Sequence, residues 1–259
     1  EIIHCDLIFF DKPSNTGLRC ALVVVDDYSQ YTFVYPQARK SQTFQNIERF
    51  VDAVTNLHDT GIGAFRLDNG GEFRSRDFTM FCEARGIELR YSIAHAHWQQ
   101  GVVERKNGVI GPITRANLQQ AGAPTRYWPA ALQAGVYCLN RSPSQPLAGR
   151  TPYELWTGRV PNIAHIRIFG CLAYPLRLGY KKKLDSRTSP ACAMLGYAAK
   201  HRGYRLMNLE TGRVLVASVV WFDEEEFPLK TNESGRERSL RDFNTFDAAV
   251  GAISGSSTW

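Results

Sequence analysis

Three acidic residues are the first candidates for chemistry in this 259-residue chain, because each lies in a distinctive short motif. Asp6 follows Ile-His-Cys, Asp68 opens the run DNGGEF, and Glu104 lies within the run GVVERKN. The positions 6, 68 and 104 leave 61 residues between the first two acids and 35 between the last two. Acids so far apart can act together only if the fold collects them.

Three collected carboxylates would be suited to binding hard divalent cations. Their mutual repulsion raises their pKa values unless cations neutralise them. Oxygen ligands favour Mg²⁺ or Mn²⁺ over zinc, and a pair of such ions can activate a hydroxyl and stabilise the oxygen that leaves a phosphate. Each acid also has an ordinary interpretation: Asp68 as a turn or helix cap, Glu104 as a helix-dipole partner, and Asp6 as a strand-end residue.

The elements that must position these acids follow an α/β pattern. Residues 1–10, 18–26 and 31–35 are predicted strands, and apolar residues at helical spacing follow between positions 44 and 57. A short strand at 64–67 precedes Asp68, and then come an amphipathic stretch at 76–85, a strand at 87–91 and a helix that carries Glu104. Asp26 ends the second predicted strand and Asp27 follows it, and we expect both to have structural roles or to support the site without binding its ions.

The motifs around Asp68 and Glu104, at this spacing, resemble the DDE catalytic core of copia-type (Ty1/copia) LTR-retrotransposon integrases, which are part of a Gag-Pol polyprotein. The resemblance implies a ribonuclease-H-like mixed sheet with helices on both faces, followed by a small SH3-like β-barrel. It also implies that Asp6, Asp68 and Glu104 are both the catalytic residues and the ligands of two Mg²⁺ or Mn²⁺ ions.

The resemblance continues beyond the core and divides the chain. The runs YWPAAL from Tyr127, NRSPS from Asn140 and TPYELW from Thr151 are similar to the family's linker region, and short strands separated by turns follow. We expect a catalytic core at 1–140, a linker at 141–165, a barrel at 166–226 and a polar tail or linker at 227–259.

Positive charge is concentrated in the last third of the chain. Residues 150–220 hold twelve Lys and Arg against three acids, although the whole chain is only +6. Such an excess suits contact with a phosphate backbone, and a simply solvated surface explains it about as well. The predicted DNA-binding residues are Asn69, Gly70, Gln99, Gln100, Arg105, Lys106 and Asn107 around the acids, with Lys181, Lys182, Lys183, Lys200 and Arg202 on the barrel.

The family resemblance implies an enzyme, a polynucleotidyl transferase and endonuclease that trims the 3′ ends of element DNA with water and then joins them to target DNA. Expected partners are double-stranded element and target DNA, further copies of the chain and a host tether of unknown identity, with no membrane. The expected location is the nucleus, after a stage in cytoplasmic virus-like particles. Two alternatives stay open: a catalytically inactive or domesticated DNA-binding relic, and a metal-dependent nuclease of the same fold.

Several features depart from the family pattern. Residues 96–101 read AHWQQG where TPQQNG is usual, and Phe9 and Phe10 stand where a Gly-Pro turn commonly follows the first acid. Pro112 lies inside the predicted catalytic helix, where proline costs about 3 kcal/mol, so we expect a kink or restart there. The family's upstream His/Cys zinc segment is not among these residues, so zinc is not expected, and the chain is expected to be a fragment of a larger polyprotein.

Composition adds general limits. The chain is 44% hydrophobic, enough for one large core or two modest ones, and its apolar runs are strand-sized rather than the roughly 20 residues of a membrane helix. The six cysteines are scattered without a CxxC pair, which favours reduced thiols over a disulfide framework.

Overall fold

The first of two sheets in the chain is mixed. A computed structural model describes residues 1–56, 61–92, 101–176, 190–198 and 202–230. The strands of this sheet are β1 (Ile2–Phe9), β2 (Cys20–Asp26), β3 (Thr32–Gln37), β4 (Ala64–Leu67) and β5 (Glu88–Tyr91). Their order is β3-β2-β1-β4-β5, with β1 to β3 antiparallel and with β4 and β5 parallel to β1.

Helices cover both faces of this sheet, as expected for the ribonuclease-H-like fold. The helices are α1 (Thr43–Thr55), α2 (Arg76–Ala84), α3 (Gly101–Ala121), α4 (Trp128–Arg141) and α5 (Pro152–Thr157). One face packs on α1 and α2 through a core that includes Phe50, Phe65 and Phe78 and also receives Trp156 of α5. The opposite face packs on α3 and α4. The fold class predicted from the sequence is therefore confirmed.

Strand β2 shows why the sheet needs both helical layers. All seven of its residues are buried, and they alternate between the two faces. Leu22 and Val24 belong to the core beneath α1 and α2, whereas Val23 and Val25 belong to the core beneath α3 and α4. A continuous apolar run is stable in a strand only when both faces are covered, so β2 occupies an interior position.

Strand β1 continues through the position where the family commonly turns. The backbone N–H of Phe10 donates to the carbonyl of Arg19 at 3.1 Å, which extends the pairing with β2 by one step. The Phe10 ring stacks on Trp128 of α4, with ring centroids 3.8 Å apart. Phe10, which stands where the family commonly turns, therefore has a packing role. The strand that carries Asp6 remains regular.

Helix α3 does not restart at Pro112, which was one of the two outcomes that we expected there. It runs without interruption from Gly101 to Ala121 with the proline inside it. A helical proline leaves the carbonyl four residues earlier without its hydrogen bond and crowds it. That carbonyl belongs to Gly108, which is exposed and lacks a side chain, so water can reach it. One turn beyond, the Thr114 hydroxyl donates to the Ile110 carbonyl at 2.8 Å.

A buried amide anchors α4 to the edge of the sheet. Asn140 donates from Nδ2 to the carbonyl of Thr32 at 2.8 Å and accepts from the Thr32 N–H at 2.9 Å. Because β3 is an edge strand, Thr32 would otherwise leave a backbone pair unsatisfied in a buried position. The two hydrogen bonds fix the end of α4 that leads out of the catalytic core.

The second sheet is antiparallel and has five strands: β6 (Leu172–Pro175), β7 (Cys192–Tyr197), β8 (Tyr204–Asn208), β9 (Val214–Ala217) and β10 (Val220–Asp223). The order is β10-β6-β7-β8-β9, as expected for an SH3-like domain.

Among the residues that the structure describes, no helix is long and apolar enough to cross a membrane.

The second sheet shares a core with the end of α3 and the start of α4. Ala121, Tyr127 and Ala130 pack in one cluster with Leu206 and Met207 of β8. Gly170 comes so close to α3 that a Cβ there would lie 2.3 Å from the Cβ of Ala121, and its φ of +81° also favours glycine. The two sheets are therefore packed through common helices.

Candidate active site

Asp6 and Asp68 are brought together by the pairing of β1 with β4. These parallel strands pair His4 with Arg66. Two residues further along the chain in each case stand Asp6, within β1, and Asp68, directly after β4. Asp6 lies opposite Val23, which belongs to the core beneath α3, so its side chain lies on the α3 face. Phe65 and Leu67 belong to the opposite core, and alternation directs Asp68 to the α3 face as well.

Helix α3 places Glu104 beside the two aspartates through its first turns. Asn107, one turn beyond Glu104, donates from Nδ2 to Oδ2 of Asp6 at 2.7 Å. Residues three apart on a helix share a face, so this contact directs the Glu104 side of α3 toward β1. Glu104 itself is exposed, and Val103 is buried against the sheet. The structure thus brings together the three predicted catalytic acids.

The electrostatics of Asp6 reflect this grouping. Burial raises the pKa of Asp6 from its ordinary 3.8 to about 6, and the negative charges of Asp68 and Glu104 add to the rise. Hydrogen bonds from the Leu7 N–H, at 2.7 Å, and from Asn107 oppose it. Asp6 is therefore a carboxylate whose charge would be favoured by a nearby cation.

The loop after β4 is held by contacts at both ends. The Asn69 amide donates to the carbonyl of Ser92 at 2.9 Å, and Arg74 donates to the Asn69 side-chain oxygen at 2.5 Å. The Tyr91 hydroxyl donates to the carbonyl of Phe73 at 2.7 Å. These hydrogen bonds hold the loop against β5, and they thereby fix the position of Asp68 at its start.

Gly70 allows the close packing within this loop. Its N–H donates to Asp68 Oδ1 at 2.9 Å. A Cβ at this position would lie 2.8 Å from Asp68 Oδ1 and 2.9 Å from Glu72 Oε1. Any side chain at residue 70 would therefore displace one of the two carboxylates.

The chemistry of this donor set fits a hard divalent cation. Asp6, Asp68 and Glu104 offer only oxygen ligands, and the Cys5 side chain belongs to the core on the opposite face. Within the described ranges, no group of three or more His, Cys, Asp or Glu residues already stands close enough to hold a metal ion. The three acids lie near one another, but they are not already arranged at the spacing of metal ligands.

The predicted DNA-binding residues have different surroundings. Asn69 and Asn107 use their amides within the site, as described above, and Gly70 donates to Asp68. Arg105 is exposed near the start of α3, whereas Lys106 is half-buried and burial lowers its pKa. Arg202 is exposed, and its carbonyl accepts from the Ser218 hydroxyl at 2.6 Å. Outside the described residues lie Gln99, Gln100, Lys181, Lys182, Lys183 and Lys200.

The neighbouring acids Asp26 and Asp27 have structural partners, as we expected. Asp26 accepts from the N–H and the hydroxyl of Ser29, at 2.7 and 2.5 Å, and so closes the turn between β2 and β3. Asp27 pairs with the buried His4 ring at 2.7 Å. Glu72 lies near Asp68 through the close packing at Gly70, which no local sequence pattern reveals.

Two family models match this chain in the same order as the two sheets. The integrase core domain matches residues 1–97, and the retroviral polymerase SH3-like domain matches residues 171–235. The Arabidopsis thaliana retrovirus-related Pol polyprotein from transposon RE2 is 34% identical over 91% of this chain and 16% of its own length. The corresponding polyprotein from transposon TNT 1-94 of Nicotiana tabacum is 33% identical over 85% of this chain and 17% of its own length.

A solved structure supports the same fold. A chain of the simian T-cell lymphotropic virus intasome in complex with PP2A regulatory subunit B56 gamma aligns with a TM-score of 0.50 and 17% identity. The alignment covers 84% of this chain and 74% of that one. This chain spans about a sixth of the length of the transposon polyproteins it matches. It belongs to the integrases of copia-type retrotransposon Pol polyproteins, with an integrase core domain followed by a retroviral SH3-like domain.

Proposed function

We propose that this chain is a divalent-metal-dependent integrase that processes the 3′ ends of element DNA and joins them to host DNA. The observation that carries the proposal is the β1–β4 register, which places Asp6 beside Asp68 on the face where α3 brings Glu104. Family membership supports the same class of polynucleotidyl transferase.

Each residue has a distinct part in this proposal. Asp6, Asp68 and Glu104 would hold two Mg²⁺ or Mn²⁺ ions, which when bound supply a more acidic attacking hydroxyl and a stabilised leaving oxygen. Asn107 orients the Asp6 carboxylate through its 2.7 Å hydrogen bond. Gly70 keeps the Asp68 carboxylate accessible by leaving no side chain in front of it. The chain itself supplies no nucleophile, because water and then a DNA 3′-hydroxyl serve in turn.

The partners in this proposal are element ends, target DNA and further copies of the chain, and the location is the nucleus after a cytoplasmic particle stage. The predicted basic residues around the acids and between positions 181 and 202 would contact phosphates. A host tether is part of the expected cycle, and its identity is open.

Strand joining with labelled DNA tests the proposed function. A labelled duplex carrying the element end is incubated with this chain and Mn²⁺, and in parallel with a longer form that includes upstream residues. Replacing Glu104→Gln is expected to reduce joining by about a thousandfold or more, because one cation-binding charge is lost. DNA binding, measured by fluorescence anisotropy, should remain within about twofold, because most affinity comes from basic residues.

Glu83→Gln is the matched control, because it makes the same chemical change on the exposed surface of α2. It should leave both joining and binding unchanged. DNA binding without cutting or joining in either form of the unmutated protein would contradict the proposal and favour a DNA-binding relic. Metal-dependent cutting without joining would favour a nuclease instead.

A further inference from the structure

Glu72 is a second carboxylate close to Asp68, on the loop that follows β4. Its side chain is only 9% exposed. Its Oε1 and Asp68 Oδ1 both lie within 2.9 Å of the point that a Cβ on residue 70 would occupy. The two carboxylates therefore border the same small space beside Gly70, which a side chain at residue 70 would fill.

The Glu72 carboxylate has only a weak ionic contact among the described residues of the protein. Its ionic partner is Lys40, whose Nζ lies 3.6 Å from Oε1, beyond hydrogen-bonding distance. In the part of the chain that the structure describes, no hydrogen-bond donor reaches the Glu72 carboxylate. A carboxylate offers several lone-pair positions that can accept hydrogen bonds or bind a cation. Glu72 has capacity left for a stronger cationic partner.

The Lys40 side chain can move away from Glu72 easily. Its side chain is 56% exposed, so a change of position costs little desolvation. Its Nζ already lies 5.1 Å from the centre of the Phe9 ring, which is itself exposed. A cation over an aromatic face is weakly stabilised there, so Lys40 has an alternative position when its contact with Glu72 is lost.

We propose that Glu72 is a further carboxylate of the cation site at Asp68 and that Lys40 is its exchangeable counter-ion. Lys40 partly neutralises Glu72 while no divalent ion is bound. A divalent ion beside Asp68 carries twice the charge and interacts with Glu72 directly or through its water, so Lys40 is released toward Phe9. This inference rests on the proposed function, because it assumes a divalent cation at Asp68.

Cation binding by the DNA-free protein tests this inference without reference to catalysis. The dissociation constant for Mn²⁺ is measured by calorimetry and by the electron paramagnetic resonance signal of the free ion. Glu72→Gln should weaken Mn²⁺ binding about three- to tenfold, because a nearby negative charge is lost. Lys40→Met should tighten it about threefold, because the competing positive charge is lost while the aliphatic packing is kept.

Asp52→Asn is the matched control, since Asp52 forms an exposed ion pair with Arg85 at 3.3 Å on another surface. It should leave Mn²⁺ binding unchanged. Thermal unfolding in EDTA establishes that every variant is folded. If Lys40 and Glu72 form only a structural pair, both replacements lower the unfolding temperature and neither changes Mn²⁺ affinity, which would overturn the inference.

Failure of this inference is distinguishable from failure of the proposed function. Mn²⁺ binding that is lost in Asp68→Asn but unchanged in Glu72→Gln and Lys40→Met overturns only the role of Glu72. An unmutated chain that binds no Mn²⁺, or binds it equally well after Asp68→Asn, overturns both. Opposite shifts in Glu72→Gln and Lys40→Met, with Asp52→Asn unchanged, support the exchange.

Discussion

When no cation is bound, the charged form of Asp6 lowers the free energy of unfolding. Its folded pKa is about 6, against an ordinary 3.8, so the folded chain binds this proton more tightly than the unfolded chain does. The free energy of unfolding therefore decreases as pH rises from about 4 to about 6, and it stays lower above that range. The same burial that destabilises the charged carboxylate prepares it to gain from a cation.

Replacing Asp6→Asn should remove this penalty. An amide oxygen still accepts from Leu7, and the new amide nitrogen can donate to the Asn107 side-chain oxygen, which has no hydrogen-bond partner among the described residues, once the Asn107 amide rotates. Because no charge is then buried, the variant in EDTA at pH 7.5 is expected to be more stable than the unmutated chain by about 1–3 kcal/mol. At pH 4 the difference should vanish, because Asp6 is then protonated. Urea unfolding at both pH values measures this, and a variant that is less stable at pH 7.5 would contradict it.

The elements could largely be predicted from the sequence, whereas the contacts between them could not. Strand β4 has the predicted bounds, because its apolar run is bordered by glycine and Asp68. Glu104 could be placed near the start of α3 from its motif alone. The Asn140–Thr32 pair joins residues 108 positions apart, and Glu72 reaches Asp68 through a glycine gap, so neither has a local signal. Helix α3 continues through Pro112 rather than restarting, because water can reach the carbonyl of the exposed Gly108.

Pro112→Ala tests how well α3 accommodates its proline. Alanine restores the missing N–H, and the acceptor is the exposed Gly108 carbonyl, so the variant should gain about 1–3 kcal/mol in the free energy of unfolding. The change lies two turns beyond Glu104, so Mn²⁺ affinity should stay within about twofold. Denaturant titration and calorimetry measure the two effects. A loss of stability would show that the proline ring has a packing role at this site.

At the scale of the whole molecule, the two sheets are packed into one hydrophobic structure. Tyr127 of the α3–α4 connection reaches Met207 of β8, with 3.6 Å between its hydroxyl and the sulfur. Arg205 of the same strand donates to the Gln133 side chain of α4 at 2.8 Å. Arg205 is thereby directed toward α4. Apolar and polar contacts together join the sheets, so we expect them to unfold together.

Leu206→Ala tests this cooperativity, because Leu206 is fully buried in the shared core. The cavity should cost about 2–5 kcal/mol, and amide hydrogen exchange should accelerate in β2 as well as in β7. Val216→Ala on neighbouring β9 is the control: Val216 is 54% exposed, and its loss should cost less than about 0.5 kcal/mol. Faster exchange confined to the second sheet would show that the two sheets unfold separately.

The close approach of Gly170 to Ala121 also limits how this protein can be recombined with its relatives. A chimera with its junction between these two positions would take residue 121 from one parent and residue 170 from the other. A gap that fits glycine would then face a side chain of a different size. The second sheet can therefore be exchanged successfully only together with the end of α3 and with α4. The unit that can be exchanged between relatives, in engineering or in evolution, therefore begins within the integrase core.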